Sequence, residues 1–199
     1  MNVELDDSHP VLLVLDTQSL FTSPDGPFAN QVAGTTIESL NPFMHECRKL
    51  NIPIVFSRYL LRDDLSDAGL LSNLAEVQAG YFCASSEWTQ LDARVQVEAS
   101  DLQVHRNRPS AFFGGDLESL LHSYGWDLLL LAGLSVNNAI SATAREAFAL
   151  DFPTLIIKEC TGAAPWESEL ETYFEILNTW TAEVATTQNV ITRLQNRCA

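Results

Sequence analysis

Apolar positions along this chain fall into two alternating patterns. Short dense runs are followed by stretches in which apolar residues recur every three or four positions. Pro10–Asp16 (PVLLVLD), Ile52–Ser57, Leu102–His105, Asp127–Ala132, Pro153–Ile157 and Glu183–Thr186 have the character of strands. Between them, Thr36–Leu50 carries Ile37, Leu40, Phe43, Met44, Cys47 and Leu50 at helical spacing. Further helices are predicted over Leu117–Tyr124, Ile140–Leu150, Glu167–Thr181 and Gln188–Gln195. Gly125 stops the first of these. Ala142, Ala144 and Ala147 give the second a small-residue face suited to close packing on a sheet. The stretch from Tyr59 to about Ser100 has no sustained period and reads as loop.

Strands that alternate with helices and are apolar nearly throughout predict a parallel sheet covered on both faces. The expected fold is therefore α/β: a three-layer α/β/α sandwich on a six-stranded parallel, Rossmann-like sheet. No repeat, low-complexity segment or linker interrupts it, so residues 1–199 are expected to form a single domain. The first strand runs into LDTQSLF rather than a GxGxxG turn, which gives dinucleotide binding no support and implies no cofactor.

Composition narrows the partners. With 26 acidic and 11 basic residues, the formal net charge is −15. That field repels nucleic acid and anionic membranes, so neither is expected as a partner. Solubility alone would account for the acidity equally well. The acidic N-terminus (MNVELDDSHP) lacks the apolar core of a secretory signal, and no run is long enough for a membrane span. Cys47, Cys83, Cys160 and Cys198 show no metal-site or CxxC spacing and read as free thiols, which together with the missing signal implies a cytoplasmic protein. His9, His45, His105 and His122 are scattered and predict no metal site.

In a sheet of this kind, ligands bind beyond the carboxyl ends of the strands. Asp16 ends the first strand, HRNRPSAFFGG follows the third, and GLSVNNA follows the fourth. Taken singly, Asp16 could be a turn or cap residue, and Arg106 and Arg108 surface charges. Their coincidence at strand ends is what marks a site.

Four segments carry a resemblance. VLLVLDTQSLF (11–21), RNRPSAFFGGDLESLL (106–121), GLSVNNAISATAREAF (133–148) and ATTQNVITRL (185–194) occur in the order and spacing of the isochorismatase-like, or cysteine hydrolase, superfamily. The chain resembles that group, which includes nicotinamidases, carbamoyl-amide hydrolases and isochorismatases, over nearly its whole length. The resemblance implies an Asp–Lys–Cys triad in which the aspartate takes the thiol proton and the cysteine attacks a carbonyl. Here the aspartate is Asp16, the lysine position holds Arg106, and the cysteine position holds Ala139. It also implies an oxyanion hole from the Ser135 and Ala139 backbone amides, a cis peptide between Leu134 and Ser135, and a homo-oligomer.

A methyl group has no lone pair to offer, so thioester chemistry at position 139 is not expected. Cys83, in the loop GYFCASSEW, is the one thiol that could reach the site from elsewhere, although a buried cysteine is more often a small hydrophobe. Arginine in place of lysine keeps the charge but not a transferable proton. It could clamp a carboxylate, either Asp16 or one on a ligand, through two parallel hydrogen bonds, and a pair with Asp16 would keep the aspartate ionised.

Three readings follow. The first is a hydrolase-type enzyme acting on a small molecule without a covalent intermediate, with Asp16 as acid or base. Isochorismatases, which protonate a vinyl ether without a thiol, are the precedent the resemblance offers. RYLLRDD stands where that subgroup has a Gln-Pro pair, which weakens the match. The second is an inactive relative that binds a ligand or protein partner. The third is an enzyme with new chemistry, a hydrolase, lyase or isomerase, on the same aspartate. Phe21, Phe112, Trp166 and Trp88 are candidate pocket residues, each of which would serve as well in a core or an interface. Glu159 stands at the position of a family acid after the fifth strand.

Overall fold

The structure, a computed structural model, describes residues 2–163 and 169–197. Its six strands are β1 (Pro10–Leu15), β2 (Ile54–Tyr59), β3 (Leu102–Arg106), β4 (Leu128–Gly133), β5 (Thr154–Thr161) and β6 (Glu183–Ala185). They form one sheet in the order β3-β2-β1-β4-β5-β6, and every neighbouring pair is parallel. The helices are α1 (Ser19–Thr22), α2 (Ala33–Lys49), α3 (Ala75–Gln78), α4 (Leu117–Tyr124), α5 (Ser141–Ala149), α6 (Leu170–Trp180) and α7 (Thr187–Arg197).

Strand residues alternate between two cores because successive side chains leave a strand on opposite faces. Leu12, Val14, Ile54, Phe56, Leu128 and Leu130 pack with Ile37, Leu40 and Met44 of α2 and with Val190 and Leu194 of α7. Val11, Leu13, Leu15, Val55, Leu129 and Leu131 pack instead with residues of α4, α5 and α6. Both sides of the sheet are therefore dry, which explains strands with no polar alternation. The expected three-layer fold is the observed one.

The boundaries differ from the sequence reading where polar residues hide the pattern. The fifth strand continues to Thr161 through Lys158 and Glu159, and the third ends one residue later, at Arg106. α2 begins at Ala33, three residues before the expected start at Thr36. α5 starts at Ser141 because Val136–Ile140 is wound as a wider π-helical turn.

The segment between β2 and β3 is loop by period but has a core of its own. Tyr59, Leu61, Ala68, Val77 and Phe82 cluster with Leu20 of α1. Two polar devices hold it in place. The buried Gln18 side chain accepts from Tyr59 N at 2.6 Å and donates to Tyr59 O and Thr89 O at 3.1 and 2.9 Å. The Asp92 carboxylate takes bonds from Thr22 Oγ1 (2.6 Å) and from Arg94 Nε and Nη2 (3.0 and 2.7 Å). Through these contacts the long segment is fastened over the carboxyl end of β1, where the candidate site lies.

Candidate active site

The strand order reverses direction at β1, so the crevice beyond the ends of β1 and β4 is where the topology leaves room for a ligand. Asp16 is the first residue past β1. It is 4% exposed and adopts a left-handed conformation with φ of 55°, which aspartate tolerates better than most residues. On the other side of the crevice the chain leaves β4 through Gly133, whose φ is 109°. A Cβ at Gly133 would lie 2.1 Å from Leu15 O, so only glycine lets β4 end this close to β1.

Arg106 reaches Asp16 from β3, two strands away. Adjacent strands lie about 4.8 Å apart, so the span from β3 across β2 to β1 is about 10 Å and demands a long side chain. Arg106 follows Val104 by two residues and turns into the same layer. Its guanidinium is fully buried. Nη2 donates to both carboxylate oxygens of Asp16, at 2.9 and 2.8 Å, and Nε donates to Pro109 O at 3.1 Å. The carbon at the centre of the guanidinium lies 4.8 Å from the centroid of the Tyr59 ring, its register partner on β2. The expected clamp is present, with one correction: both bonds come from a single nitrogen rather than from a parallel fork. Nη1 is left buried and without a hydrogen-bond partner, as is the Tyr59 hydroxyl.

Burial, rather than the cation, dominates the titration of Asp16. Loss of solvent pushes its pKa above the ordinary carboxylate value, and the charge and hydrogen bonds of Arg106 pull against that shift without cancelling it. Arg106 thus favours the ionised carboxylate, as expected, while burial deeper than the sequence revealed works against it. The Tyr59 hydroxyl is also pushed up, to about 12, by burial first.

The turn after β4 contains the cis peptide Leu134–Ser135 implied by the resemblance. Asn138 N and Ile140 N donate to Ser135 O, and Val136 N donates to Gly162 O. The Ser135 and Ala139 amides are not among those donors. Ala139 is fully buried in a cluster with Ala111, Val136, Ile140 and Ala144.

Beside this constellation lies a cavity of about 270 Å³. Phe21 lines it, together with Phe28, Tyr59 and Phe82. Sequence reasoning missed the last three because they sit at or beyond the end of β2 or in segments without a period. Phe112 is placed elsewhere: its ring stacks on Phe152 at 5.9 Å and joins the core of the α4–α6 layer. Trp88 packs against the small cluster under the long segment, and Trp166 lies outside the described residues. Glu159 is engaged at the start of α7, accepting from Thr187 N and Oγ1 at 2.7 and 2.8 Å. Cys83 is buried near Arg62 O, and burial with Asp63 and Asp67 nearby pushes its thiol pKa up, which keeps it from being a ready nucleophile. Cys47, Cys83 and Cys160 are free thiols. Among the described residues no group of three or more His, Cys, Asp or Glu could hold a metal ion, and no helix is long and apolar enough to cross a membrane.

Comparison with known proteins gives a consistent picture. The isochorismatase domain family matches residues 10–189. N-carbamoylsarcosine amidase from Arthrobacter sp. is 25% identical over 160 residues, which cover 78% of this chain and 60% of that one. The chain thus spans less than two thirds of that amidase. Maleamate amidohydrolase from Pseudomonas putida is 24% identical over 188 residues, covering 94% of this chain and 87% of the relative. Among solved structures, a cysteine hydrolase from Pseudomonas syringae pv. phaseolicola superposes with a TM-score of 0.89 at 17% identity, over 95% of this chain and 93% of that one. This last likeness concerns the fold.

Proposed function

The chain belongs to the isochorismatase family, and from that premise we propose that it is a hydrolase-type enzyme acting on a small molecule without a covalent thioester, with Asp16 as acid and base. The observation that carries this reading is the state of Asp16. It is a buried carboxyl at the end of the central strand, with its pKa raised, paired with an Arg106 that packs on Tyr59 and Pro109 of a cavity wall. A raised pKa makes the carboxylate a stronger base than an ordinary aspartate, which favours its taking and returning a proton.

In this scheme water adds to a carbonyl carbon. As the new C–O bond forms, Asp16 takes one water proton, and the negative charge on the carbonyl oxygen is met by the two backbone amides. The carbonyl re-forms, the C–N or C–O bond to the leaving group breaks, and Asp16 delivers the proton to that group. Arg106 orients the carboxylate and balances its charge. Ala139 takes no covalent part, since its side chain has no nucleophilic atom.

A second reading, an inactive relative that binds a ligand without turnover, is favoured by one observation. Arg106 is fully buried and already engages both oxygens of Asp16. The test is mass-spectrometric turnover of amides, carbamoyl amines and vinyl ethers, isochorismate included. Native protein is compared with Asp16→Asn and with the double substitution Ala139→Cys, Arg106→Lys. The proposal expects turnover by the native chain that Asp16→Asn lowers by roughly a hundred- to ten-thousandfold. Activity confined to the double variant would overturn it in favour of binding.

A further inference from the structure

A second cavity, of about 290 Å³, lies at the opposite end of the sheet from Asp16, where β5 begins and where α5 and α6 end. Phe148 of α5 and the turn residues Asp151 and Phe152 form one wall, Thr181 just after α6 a second, and Val3 and Glu4 of the N-terminal segment a third. That segment is tied down: Val3 N donates to Glu183 Oε2 at 2.6 Å, and Arg193 Nη2 donates to Val3 O. Val3 is also buried in the core layer that holds Val190 and Leu194 of α7. The cavity is therefore preformed. α5 separates it from the Ala139 turn by nine residues, about 13 Å at the helical rise.

Its electrostatics have one sign. Glu4 and Asp151 bring carboxylates, and among the described residues no Lys, Arg or His lines the cavity. Two helices also end there, and the free carbonyls of a helix C-terminus concentrate partial negative charge. The other helices of eight or more residues meet that charge with a basic residue in the last turn: Arg48 and Lys49 in α2, His122 in α4 and Arg197 in α7. α5 and α6 have none. Aromatic surface lies beside this unmet charge. Phe148 is 42% exposed and Trp180, the residue before Thr181, is 67% exposed, with ring centroids 6.2 Å apart and planes tilted by 56°. Phe152, in contrast, is buried and already has Phe112 and His122 against its ring, at 5.9 and 5.5 Å.

We propose that this cavity is a second binding site, separate from the reaction at Asp16, and that it takes a small organic ammonium ion with short alkyl groups on the nitrogen. The faces of exposed aromatic rings attract such a cation through their quadrupoles. Glu4, Asp151 and the two helix ends supply the opposing charge, and the alkyl groups displace water from Val3, Phe148 and Pro153. An inorganic cation is the poorer match, because hard ions ask for six or more oxygen ligands and this lining offers two carboxylates among apolar side chains. A neutral apolar molecule would leave the charge unmet. The volume lies just below the usual range for drug-sized ligands, which limits the occupant to one small ion. The formal charge of −15 draws cations toward the whole surface and adds to the local field.

The experiment is a titration of the ¹⁵N-labelled native chain with tetramethylammonium chloride, followed through backbone amide and indole signals. Potassium chloride at equal ionic strength and tert-butanol, which is neutral and of similar bulk, are the controls. Tetramethylammonium is expected to give saturable shifts at the Val3, Asp151 and Thr181 amides and at the Trp180 indole, and neither control is expected to do so. Two variants keep the local structure while removing one attraction each. Phe148→Leu retains an apolar side chain without a ring face. Asp151→Asn removes the charge at a left-handed residue, φ 61°, a conformation that asparagine tolerates. Each variant should keep the native spectrum and weaken tetramethylammonium by about two- to fivefold. Shifts that do not saturate, saturable shifts confined to other residues, the same shifts with potassium or tert-butanol, or unchanged affinity in either variant would overturn the proposal.

Discussion

At the scale of single residues the molecule turns on Asp16 and Arg106, a charge pair that is dry on both sides. Replacing a buried partner costs more than the pair itself contributes, because the remaining charge has nowhere to go. Arg106→Met should therefore destabilise the fold by about 3–5 kcal/mol near neutral pH. The size of that loss depends on pH in a direction set by Asp16. A carboxyl whose pKa is raised by folding contributes stability in its protonated state, and that contribution is lost as pH rises through the folded value. Without Arg106 the aspartate is driven further upward, so the variant should be better tolerated at about pH 5 than at about pH 8. Urea denaturation at both values checks this, and a loss independent of pH would contradict it. Adding Asp16→Asn to the variant should restore part of the loss, since asparagine accepts the left-handed backbone and carries no charge. A thiol-free turn at Ala139 and the aspartate at the strand end were legible from the sequence, because each lies within a few residues of a recognisable strand. The single-nitrogen clamp and the raised pKa were not. Both depend on a reach across β2 that links positions 90 residues apart.

Elements were legible in proportion to how much of their order is local. β1 and β4 could be read directly, since every one of their side chains is buried and apolar residues fill them end to end. The extension of β5 could not, because Lys158 and Glu159 lie on a strand whose last residues are paired with Gly133 rather than recognised by composition. The segment from Leu60 to Asp101 is the clearest case. Its order comes from Gln18, Asp92 and the Phe82 cluster, contacts spanning tens of positions that no period reports. Asp92 gives this fastening a pH signature. Hydrogen bonds from Arg94, then from Thr22 and the Arg94 backbone, hold its pKa down from the ordinary 3.8 to about 2 against the opposing effect of burial. A carboxylate with a lowered folded pKa contributes stability above its unfolded value, and that contribution is lost as pH falls through the folded one. Between about pH 4 and about pH 2 the native chain should lose this contribution, whereas Asp92→Asn should start less stable and show a shallower acid limb. Hydrogen exchange of the amides from Leu60 to Asp101 should rise in the variant while β1 and β4 stay protected. Uniform loss of protection would mean that the clip belongs to the global core.

For the whole molecule, the charge balance and the sheet act against each other. The sheet is held by two apolar layers that ignore ionic strength, while the surface carries a formal charge of −15. Among the described residues, seven of the eleven cations are already committed: Arg48 to Asp101 and Glu98, Lys49 to Glu46, Arg62 to Asp64, Arg94 to Asp92, Arg106 to Asp16, Lys158 to Glu171 and Arg193 to Glu183. What remains is a surplus of like charge spread over the surface, which destabilises the compact state through self-repulsion. Salt should therefore stabilise this protein, although it weakens exposed ion pairs. Raising sodium chloride from about 10 mM to about 150 mM shortens the screening length from about 30 Å to about 8 Å, enough to mute repulsion between distant carboxylates. The pairs with a deeply buried member, Asp101 with Arg48 and Asp16 with Arg106, are screened far less. A rise in Tm of about 2–4 °C, equivalent to about 1 kcal/mol for a chain of this size, is the expected result of a thermal scan at the two concentrations. A fall would mean that surface ion pairs outweigh the surplus, and that the acidity is matched locally rather than carried as a net field.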